Sequence, residues 1–169
     1  GQLAKQRKVN FIQGNASFIN SNTLLINKTD GTTEEVVYEK AILATGSIPV
    51  KVPGLSIDSP LVMDSTSALE LNDVPKRLLV IGGGYIGLEL STVYAALGSK
   101  VTVVEMLPGI LPGADRDLVA VLEKRVKAMM QYVFVETKVV ELKETNEGIQ
   151  VKLEGKNVTE PIQIFDKVL

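Results

Sequence analysis

Three glycines stand in G-x-G-x-x-G spacing at Gly82, Gly84 and Gly87, within Gly82-Gly83-Gly84-Tyr85-Ile86-Gly87. This spacing suits one chemistry well, the presentation of bare backbone N–H groups to a phosphate. Immediately before it lies the apolar run Leu78-Leu79-Val80-Ile81, which reads as a strand covered on both faces of a parallel sheet. Residues 85–97 read as a helix. A second apolar run, Val101-Thr102-Val103-Val104, ends on Glu105 at close to the ~20-residue interval expected of such a unit. In this setting Gly82 permits the tight turn, Gly84 leaves room for a pyrophosphate, and Gly87 lets the helix pack closely on the sheet. The phosphates would meet free N–H groups at a helix N-terminus, where the dipole also favours negative charge. Glu105 can accept hydrogen bonds from both adenosine ribose hydroxyls and would repel a 2′-phosphate. Met106-Leu107-Pro108-Gly109 offers no Arg or Lys to hold that phosphate. The expectation is a site for NAD rather than NADP.

Other residues admit two readings from local physics alone. Glu89, two residues after Gly87, either complements the helix dipole from the first turn or serves the site. Tyr85 either packs or covers a cofactor ring. Thr45-Gly46-Ser47 reads as a strand-ending turn. The composition sets firmer limits. With no Cys there is no disulfide, thiolate nucleophile or thiolate metal ligand, and with no His the commonest general base near neutral pH is missing. No metal site and no catalytic residue are expected in this chain. A net charge of -2 gives no electrostatic case for nucleic acid or an anionic membrane. No apolar run approaches the ~20 residues needed to span a bilayer, and residues 1–7 lack the apolar core of a secretion signal.

The elements that must position the glycines follow from pattern. Before them, Val9-Asn10-Phe11-Ile12-Gln13, Thr23-Leu24-Leu25-Ile26 and Val36-Val37-Tyr38 read as short strands, with a turn at Asp30-Gly31. Ala41-Ile42-Leu43-Ala44 reads as a buried strand, and Pro49, Pro53 and Gly54 suggest a hinge over 48–62. In the helix over 85–97, Ile86, Leu90, Val93, Tyr94 and Leu97 recur at one-face spacing, and Gly98 is a natural stop. A second helix from Asp115 to about Met130 has Leu118, Leu122, Val126 and Met129 as its apolar face. A strand over 132–135 follows, then an antiparallel pair over 139–143 and 149–153 turning at Asn146-Glu147-Gly148. Residues 162–169 read as one more strand, within which the sequence stops, as a truncated chain would. The predicted fold is α/β: a Rossmann-like dinucleotide-binding fold with a parallel sheet plus an antiparallel β-meander.

The segments Ala44-Thr45-Gly46-Ser47-Ile48-Pro49, Asp64-Ser65-Thr66-Ser67-Ala68-Leu69, Val80 through Leu88-Glu89, Val103-Val104-Glu105 and Glu136-Thr137-Lys138-Val139 together resemble the flavin-dependent disulfide reductases. Their order and spacing are most similar to the dihydrolipoyl dehydrogenase branch, and the resemblance covers essentially the whole chain. It implies that residues 1–47 are trailing strands of an FAD domain, 48–62 a hinge, and 63–169 an NAD domain truncated at its C-terminal end. It also implies residue roles. Gly82, Gly83, Gly84, Tyr85, Ile86, Gly87, Leu88 and Glu89 would line the NAD site, with Glu89 toward the nicotinamide. Glu105 would hold the adenosine ribose, and Val139 would pack near the adenine. Thr45, Gly46 and Ser47 would touch FAD, and Ala16 would offer it a backbone amide.

Departures from the family pattern are as informative. The first glycine fingerprint, the Cys-x4-Cys pair, the C-terminal His-Glu pair and the A-x-G-R-x-P segment are all missing, and Tyr85 replaces an aliphatic residue. The resemblance therefore implies the NAD-binding piece of an enzyme that passes electrons from dihydrolipoyl groups through FAD to NAD, inactive by itself. The whole enzyme would be a homodimer serving 2-oxoacid dehydrogenase complexes in bacterial cytoplasm or mitochondrial matrix. Two alternatives stay open: a piece of an NADH oxidase or soluble transhydrogenase, and a non-catalytic NAD-binding module.

Overall fold

The computed structural model describes residues 1–50, 52–55 and 57–169 and forms two units, Gly1–Ser47 and Ile48–Leu169. The first unit holds helix α1 (Gln2–Gln6) and strands β1 (Gly14–Asn20), β2 (Thr23–Lys28) and β3 (Thr33–Val37) in an antiparallel meander of that order. Its β2–β3 turn is closed by the Asp30 carboxylate, which accepts the Thr32 N–H at 2.9 Å and hydroxyl at 2.6 Å, with Gly31 at φ +85°. Two expected strands are corrected. Residues 9–13 precede β1, whose pairing starts at Gly14 opposite Lys28. Residues 41–44 form no strand, and Ile42 and Leu43 are 93% and 73% exposed. A continuous apolar run becomes a strand only when neighbours cover its faces and take its N–H groups, and no described segment of this unit pairs with it.

The second unit contains α2 (Ser65–Leu69), β4 (Arg77–Ile81), α3 (Tyr85–Ala96), β5 (Lys100–Val104), α4 (Arg116–Met129), β6 (Tyr132–Phe134), β7 (Thr137–Thr145), β8 (Gly148–Gly155), β9 (Ile162–Phe165) and β10 (Lys167–Val168). Parallel strands run in the order β10-β4-β5-β6, and β7-β8-β9 form an antiparallel meander. Period-two alternation assigns the strand side chains to two cores. Leu78, Val80, Val101 and Val103 pack with Leu88, Leu90, Tyr94, Val119 and Val126 on the helix side. Leu79, Val104 and Val168 face the other way, against Val139, Leu142, Ile149, Val151, Leu153 and Phe165 of the meander. Both faces of β4 and β5 are thus buried, which explains why these strands read as unbroken apolar runs.

The helix faces differ from expectation. In α3 the buried residues are Leu88, Leu90, Ser91 and Tyr94, while Ile86, Val93 and Leu97 are 45%, 42% and 51% exposed. The helix is apolar on nearly every side, so periodicity alone leaves its rotation open; the approach of Gly87 to the sheet sets it. Tyr94 is buried because its hydroxyl donates to the Ala68 carbonyl at 2.8 Å, tying α3 to α2. In α4 the buried residues are Val119 and Val126, whereas Leu118 and Leu122, expected in the core, are 68% and 38% exposed. The single strand expected over 162–169 is two strands: β9 belongs to the meander and β10 to the parallel sheet.

The switch between sheets falls at Asp166. Its carboxylate accepts the Arg77 backbone N–H at 2.9 Å, Nε at 3.0 Å and Nη2 at 2.7 Å, and its own N–H donates to the Arg77 carbonyl. Partial burial pushes this carboxyl upward, but the side-chain and backbone hydrogen bonds from Arg77 and the guanidinium charge outweigh it and hold the group below its ordinary value. Because folding lowers this value, the unfolded chain binds more protons across the window, and stability rises with pH through it. The contribution is complete well above pH 3.8 and is lost as pH falls through the lowered value. The stability gap between wild type and Asp166→Asn is therefore expected to narrow on acidification from pH 6 to pH 3, as read from urea midpoints; a gap independent of pH counts against this role.

Candidate functional site

The site forms where β4 and β5 end side by side. β4 leads into the glycine turn, and the Gly82 N–H donates to the Val104 carbonyl at 2.8 Å, prolonging the strand pairing by one residue. Gly82 then takes φ +110°, open to glycine and strained for other residues. At Gly87 an added Cβ would lie 2.3 Å from the Gly82 carbonyl oxygen and 3.2 Å from Val80. Only a glycine permits this approach of α3 to the turn. Gly84 presents the opposite case: nothing lies within 4 Å of where its Cβ would stand. Gly84 is also the N-cap residue of α3, and no side chain caps the helix. The first turn therefore offers backbone N–H groups to whatever occupies that open space.

Glu105 closes the site from β5. It is 8% exposed, and its Oε2 accepts the Gly83 N–H at 2.8 Å while Oε1 accepts the Leu107 N–H at 2.8 Å. Its backbone is held as firmly, with its N–H on the Phe134 carbonyl at 2.8 Å and its carbonyl accepting the Thr137 N–H at 3.0 Å. Each carboxylate oxygen has a second lone pair for a further donor. A diol with two adjacent hydroxyls is a ligand of suitable shape.

The residues singled out by sequence divide into groups. Gly82, Gly83, Gly84, Gly87 and Glu105 lie around one turn: Gly83 is hydrogen-bonded to Glu105, and Gly87 closes onto the Gly82 carbonyl. Leu88 is buried in the helix-side core, whereas Tyr85 and Ile86 are 69% and 45% exposed on the first turn of α3. Glu89 is exposed and is the fifth residue of α3, so no acidic residue lies in the first turn. This corrects the dipole reading, since the dipole field fades beyond that turn. Val139 is 8% exposed within the meander-side core, two residues beyond Thr137. Ala16, Thr45, Gly46 and Ser47 belong to the first unit: Ala16 is exposed on β1 opposite Ile26, and 45–47 form an exposed segment with Gly46 at φ +74°.

Sequence reasoning read residues 107–113 as a Pro/Gly-rich loop but gave it no role in the site. Ile110 is fully buried against Gly83, and the Leu111 N–H donates to the Gly83 carbonyl at 2.8 Å. Arg116 in turn holds this loop. No motif marks these residues, because their partners are backbone atoms and any residue type supplies a carbonyl.

The family model for pyridine nucleotide-disulphide oxidoreductases matches residues 2–168. Among curated relatives, the chain is 44% identical over 167 residues to a dihydrolipoyl dehydrogenase of Vibrio cholerae, covering 99% of this chain and 35% of that protein. It is 46% identical over 154 residues to a dihydrolipoyl dehydrogenase of Haemophilus influenzae, covering 91% and 32%. The chain thus spans about a third of the length of these relatives. Among solved structures, it superposes with a TM-score of 0.78 and 30% identity on RclA from Escherichia coli, a HOCl-induced flavoprotein disulfide reductase, covering 99% of this chain and 37% of that one.

The two glycines that differ most in their surroundings give a paired test. Gly87→Ala drives a Cβ into the Gly82 carbonyl, and overpacking of this kind costs about 1–3 kcal/mol. Gly84→Ala meets no protein atom and has φ -75°, so it is expected to lower the denaturation midpoint less than Gly87→Ala does, while nucleotide binding is lost. Calorimetry with and without NADH reads both; a Gly84→Ala protein that binds NADH as wild type does would remove this residue from the site.

Proposed function

The chain belongs to the pyridine nucleotide-disulphide oxidoreductase family, and from that premise we propose that it is the NAD-binding portion of a dihydrolipoyl dehydrogenase. The whole enzyme would carry electrons from dihydrolipoyl groups through FAD to NAD, in partnership with 2-oxoacid dehydrogenase complexes. The observation that carries this reading is the buried Glu105 carboxylate bonded to the N–H of Gly83, inside the glycine turn. The open space at Gly84 fits a pyrophosphate, and the paired oxygens of Glu105 fit a ribose diol. Bound NAD would supply the hydride-accepting nicotinamide.

Within this proposal each residue has a task. The N–H groups of the first turn of α3 hold the phosphates without side-chain charge. Glu105 accepts the ribose hydroxyls and, being anionic and buried, disfavours a 2′-phosphate beside it. Glu89, exposed on α3, is assigned to the nicotinamide end, and Tyr85, also exposed there, to the lining of the NAD site. Val139 supports the adenine side from within the meander core. Ala16, Thr45, Gly46 and Ser47 are assigned to the FAD side. The sequence contains neither Cys nor His, so the dithiol step and its proton transfer belong to residues outside it.

Titration with NADH and NADPH, followed by nicotinamide fluorescence, tests the reading. NADH is expected to bind at least tenfold more tightly, and Glu105→Gln, which keeps an acceptor but removes the charge, should weaken NADH and narrow the preference. Equal affinities in the wild type would sink the assignment of Glu105. A second outcome concerns turnover: mixed with dihydrolipoamide and NAD, the chain alone is expected to form no NADH, and steady formation would contradict the assignment of the redox step elsewhere.

A further inference from the structure

We propose that Arg116 is a positioning residue for the nucleotide site, acting through the loop between β5 and α4 and not on the ligand; this rests on the NAD reading above. The loop meets the glycine turn twice, through the buried Ile110 side chain and through the Leu111 N–H on the Gly83 carbonyl. To make both contacts Leu111 adopts φ +50°, the left-handed region that a residue with a Cβ disfavours. It also precedes Pro112, whose ring restricts the residue before it further. Such a conformation persists only where its surroundings over-determine it.

Arg116, the first residue of α4, supplies that restraint. Its Nη2 donates to the Ile110 carbonyl at 3.0 Å and to the Leu111 carbonyl at 2.7 Å, and its Nε donates to the Ala114 carbonyl at 3.2 Å. The Ile110 and Leu111 carbonyls belong to the two peptide planes that flank the Leu111 Cα. Fixing both planes fixes the φ and ψ of Leu111. The plane that carries the Ile110 carbonyl also carries the Leu111 N–H, so Arg116 and Gly83 hold one peptide from opposite edges. Through that peptide the guanidinium reaches Gly83, whose own N–H bonds Glu105. The glycine turn and the ribose-facing carboxylate are thereby set before a ligand arrives, which lowers the ordering cost of binding. Three hydrogen bonds from Nε and Nη2 to loop carbonyls tie Arg116 to the loop.

The test pairs Arg116→Met with Leu111→Gly, because glycine takes a positive φ without strain. On the ligand-free protein, Arg116→Met is expected to speed hydrogen exchange at the Leu111 amide while the β5 amides stay protected; unchanged exchange at Leu111 overturns the proposal. In NADH titrations Arg116→Met is expected to bind about tenfold more weakly than wild type, which is about 1.4 kcal/mol. The same substitution in a Leu111→Gly background is expected to change affinity by less than about threefold, since the restraint is no longer required. A wild-type NADH affinity in Arg116→Met, an undiminished loss in the Leu111→Gly background, or a loss confined to NADPH each overturns it, the last by making Arg116 a phosphate ligand. A wild-type chain that binds neither nucleotide defeats the NAD reading instead, and exchange at Leu111 still decides whether Arg116 holds the loop.

Discussion

A carboxylate buried at the end of a strand must find hydrogen-bond donors, because leaving it unpaired away from water costs several kcal/mol, on the order of the stability of a small domain. Glu105 finds them in two backbone N–H groups, from Gly83 and Leu107. Those donors come from separate loops, so satisfying one side chain joins the glycine turn after β4 to the segment after β5. Phe134 and Thr137 bond its backbone and extend the link to β6 and β7. The arrangement needs close approach throughout. Gly83 could carry no larger side chain without pressing on Ile110 and Glu105 itself, and Gly87 lets α3 come down onto the Gly82 carbonyl.

The rest of the second unit reads as support for that junction. The two cores clamp β4 and β5 from both sides, so the strand ends that carry Gly82 and Glu105 cannot shift independently. Farther away, Asp166 and Arg77 fix the point where the chain leaves the meander and rejoins the parallel sheet as β10. Apolar surface that plays no part in this support is left open. Leu118 and Val121 of α4 are 68% and 74% exposed, and in the first unit Phe18, Ile42 and Leu43 are more than half exposed. The chain spans about a third of the length of its curated relatives.

Much of this was legible from residue types. Gly82, Gly84, Gly87 and Glu105 could be assigned because each requirement is specific to a residue: a positive φ, an open approach, a close helix contact, a carboxylate at a strand end. The parallel strands were legible because burial on both faces leaves Leu78-Leu79-Val80-Ile81 no polar position. Helix rotation was less legible. Leu118, expected inward with Leu122 and Val126, has the same apolar character as Val119, and a small rotation of α4 decides which of the two is buried. The Ala41-Ile42-Leu43-Ala44 run shows the same ambiguity in strands, since an apolar run states a preference for burial and not what is available to bury it.

The sequence by itself determined the order of strand, glycine turn, helix, strand and acid, because these depend on backbone permissiveness and hydrophobic period, which are local. Only the tertiary structure decided which face of α3 and α4 packs inward, where residues 162–169 change sheets, and that Ile110, Leu111 and Arg116 brace the glycine turn. Those outcomes rest partly on backbone carbonyls and N–H groups, which residue type does not distinguish, and partly on which side chains the fold brings into contact. Such contacts leave no signature in residue type or spacing until the fold brings the segments together.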